Sequence, residues 1–326
     1  MRTFFTVALA LALVAVPIRA RAQDDPTPDT DAALEAVRVV LDDFAQAATY
    51  TGQLRQTIDQ VISISYLDET VVLTQTIKME GTTTVQQEPG QAYATRQMDF
   101  VQSISQTLTG GGLDETTEIG PVAYQLRIVE DRFYLNVETD DPLVAGQFPA
   151  GWHDITDGAS AFPGMSMFDI EGVLAIDGNL SPGFADELTD AVLDITYEAS
   201  TDPAGEALDR YQLALDPART LDLIGMPAMT GMFDEESVPF DMPALIERLL
   251  SDEATRYTVY VAVDPGTSAL VEFVDEWHMD IEIGPDLITD PALEGATMDL
   301  VQDSVQVFQP TAVNEPVTIT APEIAE

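Results

Sequence analysis

The chain of 326 residues carries 57 acidic against 13 basic side chains, a formal charge of −44, with 45% hydrophobic residues and no cysteine. Such a surface repels nucleic acid and anionic headgroups, which need cationic counterparts, while the apolar content and well-phased strands argue for a folded chain rather than a disordered one. The absence of cysteine excludes disulfides, thiol chemistry and acylation of a thiol. With two histidines, His153 and His278, and one lysine, Lys78, neither nucleophile–base catalysis nor a histidine-rich metal site has much to build on.

Residues 1–22 read as a secretory signal. Arg2 supplies the positive start, Phe4 to Val16 the apolar stretch, Pro17 a helix break, and Ala20-Arg21-Ala22 a small-x-small cleavage site before Gln23. The apolar stretch has 13 residues, short of the roughly 20 that span a bilayer, so cleavage is expected rather than anchoring. The mature chain is expected to be secreted or periplasmic, free of a lipid anchor and of an integral membrane segment. Losing Arg2, Arg19 and Arg21 makes it still more acidic. Self-repulsion of this size favours a medium rich in counterions.

Residues 23–30 (QDDPTPDT) form an acidic linker, and residues 31–322 are expected to form a single β-rich domain before a short tail, 323–326. A helix is predicted from an N-cap at Thr30 or Asp31, with Leu34, Val37, Leu41, Phe44 and Ala48 on one face. From Tyr50 the apolar period becomes two. Val71, Leu73, Ile77 and Met79 line one face of a strand, with Thr74, Thr76 and Lys78 opposite. A strand over Arg96–Ser105 precedes a flexible Gly110-Gly111-Gly112 loop. Val122, Tyr124, Leu126 and Ile128 then turn at Glu130-Asp131 into Phe133, Leu135 and Val137.

Tyr211–Pro217 (YQLALDP) reads as a strand followed by a helix over Ala218–Ile224, and Asp241–Leu250 as a helix capped by Asp241 with Pro243 in its first turn. Tyr257, Val259, Val261 and Val263 form a strand that turns at Asp264-Pro265-Gly266-Thr267. A long strand follows, with Val271, Phe273, Trp277, Met279, Ile281 and Ile283 on its dry face and Glu272, Glu276, His278, Asp280 and Glu282 on its wet one. The expected fold is α+β and mainly β: one strongly curved antiparallel sheet, with the N-terminal helix and short helices on its concave face. A division into two halves is the minority alternative.

Candidate chemistry is sparse. His278 between Glu276 and Asp280 has the pattern of a cation site or proton shuttle, but is equally what an acidic wet strand presents. Calcium suits the abundant carboxylates better than zinc. Yet no D-x-[DN]-x-[DN]-G loop occurs, so diffuse neutralisation of the surface is the reading adopted, with no catalytic residue, metal or cofactor expected. G-x-S-x-G, H-E-x-x-H and P-loop motifs are absent. The informative constellation is apolar: Phe162, Met165, Met167 and Phe168, then Met226, Met229, Met232, Phe233, Phe240 and Met242. These windows hold six of the chain's 11 methionines, outside the main strands and among Pro and Gly. Flexible thioethers re-pack around varied apolar ligands. These windows, except Met167, together with Trp277, are the candidate lid and cavity for a hydrophobic ligand; the bland alternative is that they cap an open core.

The early Ala33–Val37 helix leading to Tyr50-Thr51-Gly52 resembles the lipoprotein-carrier superfamily, which includes the periplasmic LolA carriers and the mycobacterial LppX and LprG lipoproteins. So do Phe133-Tyr134-Leu135 followed by Gly151-Trp152, Tyr211–Pro217, Tyr257–Thr267 and the ending Asn314–Pro322. The resemblance implies a half-open β-barrel whose apolar concavity, lidded by helices and loops, holds acyl chains. The chain departs from the mycobacterial members in lacking a cysteine to lipidate. The leading expectation is a non-enzymatic, exported binder or carrier of a lipid or other hydrophobic molecule. The alternatives are a structural or interaction protein with a cation-neutralised surface and no ligand, and a hydrolase built on a carboxylate pair.

Overall fold

A computed structural model describes residues 29–67, 69–87, 94–146, 150–156, 183–202, 204–223, 241–250, 254–289 and 295–324. It opens with helix α1 (Thr30–Ala45), capped by Asp29, whose carboxylate accepts from the Ala32 amide at 2.8 Å. The cap lies one or two residues earlier than predicted, and the helix ends before Ala48. The buried face is Ala33, Val37, Val40, Leu41, Phe44 and Ala45.

Four long strands follow: β1 (Thr49–Tyr66), β2 (Glu69–Gln86), β3 (Thr95–Gly110) and β4 (Leu113–Val129). β5 (Arg132–Thr139), the short helix α2 (Pro142–Ala145) and β6 (His153–Asp154) complete the first run. The second run comprises α3 (Phe184–Asp190), β7 (Val192–Thr201), β8 (Ala207–Leu215), α4 (Pro217–Leu223), α5 (Met242–Leu249), β9 (Thr255–Val263), β10 (Leu270–Ile283) and β11 (Thr297–Val313). The sequence pattern had not singled out β6, β7 or β11.

All eleven strands belong to one antiparallel sheet in the order β6-β5-β4-β3-β2-β1-β11-β10-β9-β8-β7. The last strand therefore inserts between the first strand and the second meander, so each meander is a run of hairpins joined through β11. β6 and β7 are edges, so the sheet is not closed into a barrel. With a twist of roughly 20–25° between neighbours, eleven strands curl rather than lie flat. The inner face carries α1 and α3, whose Phe184, Ala185 and Leu188 are buried with α1 in the main apolar cluster.

Local chemistry fixes the hairpins. Glu130 and Asp131 both take positive φ, as a two-residue primed turn requires, and join β4 to β5. The three glycines expected to be a flexible loop make a tight β3–β4 turn, all with positive φ. Asp264 accepts from the Gly266 amide and the Thr267 hydroxyl, both at 2.7 Å, which sets the β9–β10 turn and holds its carboxyl below the usual range. Two irregularities change which residues face inward. In β4 the register shifts opposite Gln102/Ile104, where Gly120 adopts φ 104°, so odd positions face inward before the shift and even ones after it. In β10 the shift at Leu270/Glu272 puts Leu270, rather than Val271, in phase with Phe273 on the dry face.

Candidate functional site

The concave face has two unlike halves. At one end α1 seals it: Phe44 packs on Tyr50 and Phe308 with ring centroids 4.9 and 5.8 Å apart, over Leu54, Val85, Met98, Phe100 and Tyr124. Gly52 leaves room for the Phe308 ring, with which a Cβ there would clash. Burial of Tyr124 raises its hydroxyl pKa to about 12.

This filling cannot reach the other end. α1 has 16 residues, about 24 Å, whereas the 18 residues of β1 extend about 60 Å. On the same strands the inward residues beyond Leu54, Met79 and Phe100 lose their cover. Ile58, Ile62, Leu73, Ile77, Ile104 and Leu108 are half-buried, and Ile64 and Leu113 are 46% and 43% exposed. The outer face of these strands is hydroxyl and carboxylate, as in Thr76–Asp59 at 2.6 Å and Ser105–Glu118 at 2.6 Å.

Registers show how the uncovered half is patterned. Ile58, Ile77, Ile104 and Ile119 stand side by side across β1–β4. One row on runs Gln302, Gln60, Gln75 and Gln106 across β11 and β1–β3, where Gln60 Nε2 donates to Gln302 Oε1 at 3.1 Å. On the other side lie Gln306, Gln56, Met79 and Gln102. An isoleucine lane is thus bordered by amides, many of which can bond along their own row. Beyond the lower amide row come Leu300, Ile62, Leu73 and Leu108.

The isoleucine lane continues through Ser304 on β11 to Trp277 on β10 and Tyr257 on β9. Here polar groups are buried inside the apolar face. Asp275, Thr255, Ser304 and Gln306 are four of the eight buried polar or charged residues among those described, and they occupy neighbouring inward positions on three adjacent strands. Burial pushes the Asp275 carboxyl up to about 7; a hydrogen bond from Tyr257 opposes this, and the Glu276 charge adds to it. Burial likewise raises Tyr257 well above its ordinary value. Asp275 is in phase with Phe273 and Trp277, and a carboxylate in that apolar row was the available sequence signal for this cluster, which the reading by faces passed over.

Of the predicted ligand-contacting residues, Trp277 lies on the concave face, packed against both the main cluster and a smaller one formed by Ala254, Met279, Ile281, Ile283 and Leu287 beneath α5. Arg248 of α5 donates to the Glu282 carbonyl at 2.6 Å, fastening that helix to β10. Met242 begins α5. Phe162, Met165, Phe168, Met226, Met229, Met232, Phe233 and Phe240 lie outside the described residues, so their role as a lid stays a proposal. His278 is on the outer face, where its Nδ1 pairs with Asp303 Oδ1 at 2.7 Å on the next strand rather than with Glu276 or Asp280; Glu276 instead accepts from the Tyr260 hydroxyl at 3.2 Å. His153 lies in β6 opposite Leu135. Among the described residues no group of three or more His, Asp or Glu is arranged to hold a metal ion, and no helix is long and apolar enough to cross a membrane.

No protein-family profile and no curated protein matches the chain. Among solved structures the chain is similar to LprF from Mycobacterium bovis, at 12% identity over 91% of this chain and 99% of that one with a TM-score of 0.35. It is also similar to the Mycobacterium tuberculosis lipoprotein LppX, at 11% identity over 89% and 100% with a TM-score of 0.36. A structure described as showing lipid–protein interactions in lipovitellin matches 85% of this chain but 26% of its own length, at 10% identity and a TM-score of 0.31. At this level of identity and superposition neither ligand nor partner transfers from one protein to another.

Proposed function

We propose that this is an exported, non-enzymatic binder or carrier of a lipid or other hydrophobic molecule, held against the uncovered half of the concave face. The observation that supports this is the run of half-exposed isoleucine and leucine rows on the inner side of β1–β4 and β11. Rows of this kind bind alkyl chains without any polar motif, at about 0.8 kcal/mol per buried methylene. A sixteen-carbon chain would contribute roughly 12 kcal/mol gross, against association costs of about 4–15 kcal/mol, so modest affinities and exchange between donor and acceptor are expected. Met229, Phe233 and their neighbours would close over the chain, and the signal at residues 1–22 would deliver the protein across the membrane without leaving it anchored.

Organic extraction of the full-length protein purified after export, followed by mass spectrometry, tests the proposal, together with titration of a fluorescent fatty acid. A co-purifying amphiphile and saturable binding are expected. Neither bound amphiphile nor saturable binding would leave the structural alternative standing. Met229→Asp or Phe233→Asp should weaken binding without loss of the fold, and unchanged affinity would remove these residues from the lid.

A further inference from the structure

The isoleucine lane ends in groups with unmet hydrogen-bonding capacity. Trp277 Nε1 is fully buried and has no hydrogen-bond partner, although the residue as a whole is only partly buried. Thr255 is 3% exposed, and its Oγ1 is likewise buried without a partner. Thr255 stands opposite Met279, one inward position along from Trp277, a diagonal separation that long side chains and small ligand groups bridge. An indole N–H can only donate, and a buried donor left unmatched costs about 1–3 kcal/mol. Two such groups at diagonal inward positions of adjacent strands, at the end of an apolar lane and at the seam between two apolar clusters, are an arrangement that a ligand oxygen would complete.

We propose that the Trp277–Thr255 corner is a docking station for the uncharged oxygen of an amphiphile, a hydroxyl or an ester carbonyl, whose alkyl chain lies across the strands along Ile58, Ile77, Ile104 and Ile119. This rests on the carrier reading and specifies which hydrophobic ligand it favours. The inward positions of β9, β10, β11 and β1 hold no lysine or arginine, while Asp275 adjoins Trp277 on the same face. Among the described inward positions of these strands, an ionised headgroup would meet a carboxyl and no cation. The raised pKa of Asp275 reports the same dry surroundings. A neutral oxygen accepts from the indole and exchanges a hydrogen bond with the threonine at no such penalty.

The test uses 1,6-diphenylhexatriene, a fluorescent hydrocarbon without polar atoms, as a reporter of the apolar lane in the full-length exported protein. Hexadecanol and methyl hexadecanoate should displace it at lower concentration than hexadecane or ionised hexadecanoate. Trp277→Phe and Thr255→Val together should cost the two oxygenated neutral ligands about tenfold in potency, the worth of one or two hydrogen bonds. Hexadecane potency should fall by a much smaller factor than that of the oxygenated ligands, and retained binding of the hydrocarbon reporter would show that the variants fold. Equal potency of alcohol and alkane, hexadecanoate as the best competitor, or a double variant with unaltered ratios would each overturn the station while leaving the carrier in place. Failure of the wild-type protein to bind the reporter would instead remove the carrier reading itself.

Discussion

The two ends of β1–β3 are built from the same strands with the same inward alternation, yet one is core and the other is surface. Tyr50, Leu54, Val85, Met98 and Phe100 are buried because a helix lies on them; Ile58, Ile62, Leu73, Ile104 and Leu108 are half-exposed because α1 stops short. Alternation of side chains records only which face a residue takes. Whether that face is dry depends on what the rest of the chain lays over it. An apolar inward row is therefore a statement about stability at one end and, on the function proposed above, about ligand binding at the other.

Substitutions at the two ends should separate stability from binding. The largest loss is expected in the filled half. Phe308→Ala removes a 1% exposed ring that packs on Phe44 and Tyr50, and should cost about 3–5 kcal/mol in urea unfolding. A loss under 1 kcal/mol would mean that this end is not the main core. Next comes Asp275 at the boundary. Its carboxyl ordinarily titrates near 3.8 and in the fold near 7, so between these values the folded protein holds a proton that the unfolded chain releases. Stability should therefore fall as pH rises through that window and level off above it, by on the order of a few kcal/mol. Asp275→Asn should lack this component, which comparing the two proteins' unfolding at pH 5 and pH 8 would reveal; parallel pH profiles would place Asp275 in water.

In the open half, Ile104→Ala should cost about 1 kcal/mol or less, because much of that side chain is already solvated. Ile104→Asp should nevertheless lower affinity for alkyl ligands at least tenfold. If it unfolds the protein and leaves ligand binding unexplained by exposure, the contrast between the two ends fails. Smallest of all, His278→Ala on the outer face should change stability by less than about 1 kcal/mol, since its pairing with Asp303 is solvated.

The sequence made the local elements legible. Glu130-Asp131 and the Asp264 turn announce hairpins through their own backbone and side-chain chemistry, and β10 shows its inward and outward faces by alternation from Phe273 onward. The strand β11 was not legible, because its identity rests on pairing with β1 some 250 residues away, as at Leu54–Phe308, and no short-range signal encodes that. Register also hid the site. The row from Ile119 to Trp277 joins residues on six strands and exists only once those pairings are set. Asp275 was visible as a lone acid in a greasy row, but its burial came from Tyr257 and Gln306 on neighbouring strands.

The sheet's failure to close has a consequence for the protein's behaviour in a crowded compartment. A free strand margin invites a second chain to zip onto its unsatisfied amides and carbonyls. One margin, β6, is two residues long and offers almost no template; the other, β7, runs for ten residues but carries Asp194 and Glu198. Brevity on one side and like-charge repulsion on the other let the sheet stay open while discouraging fibre growth from its margins.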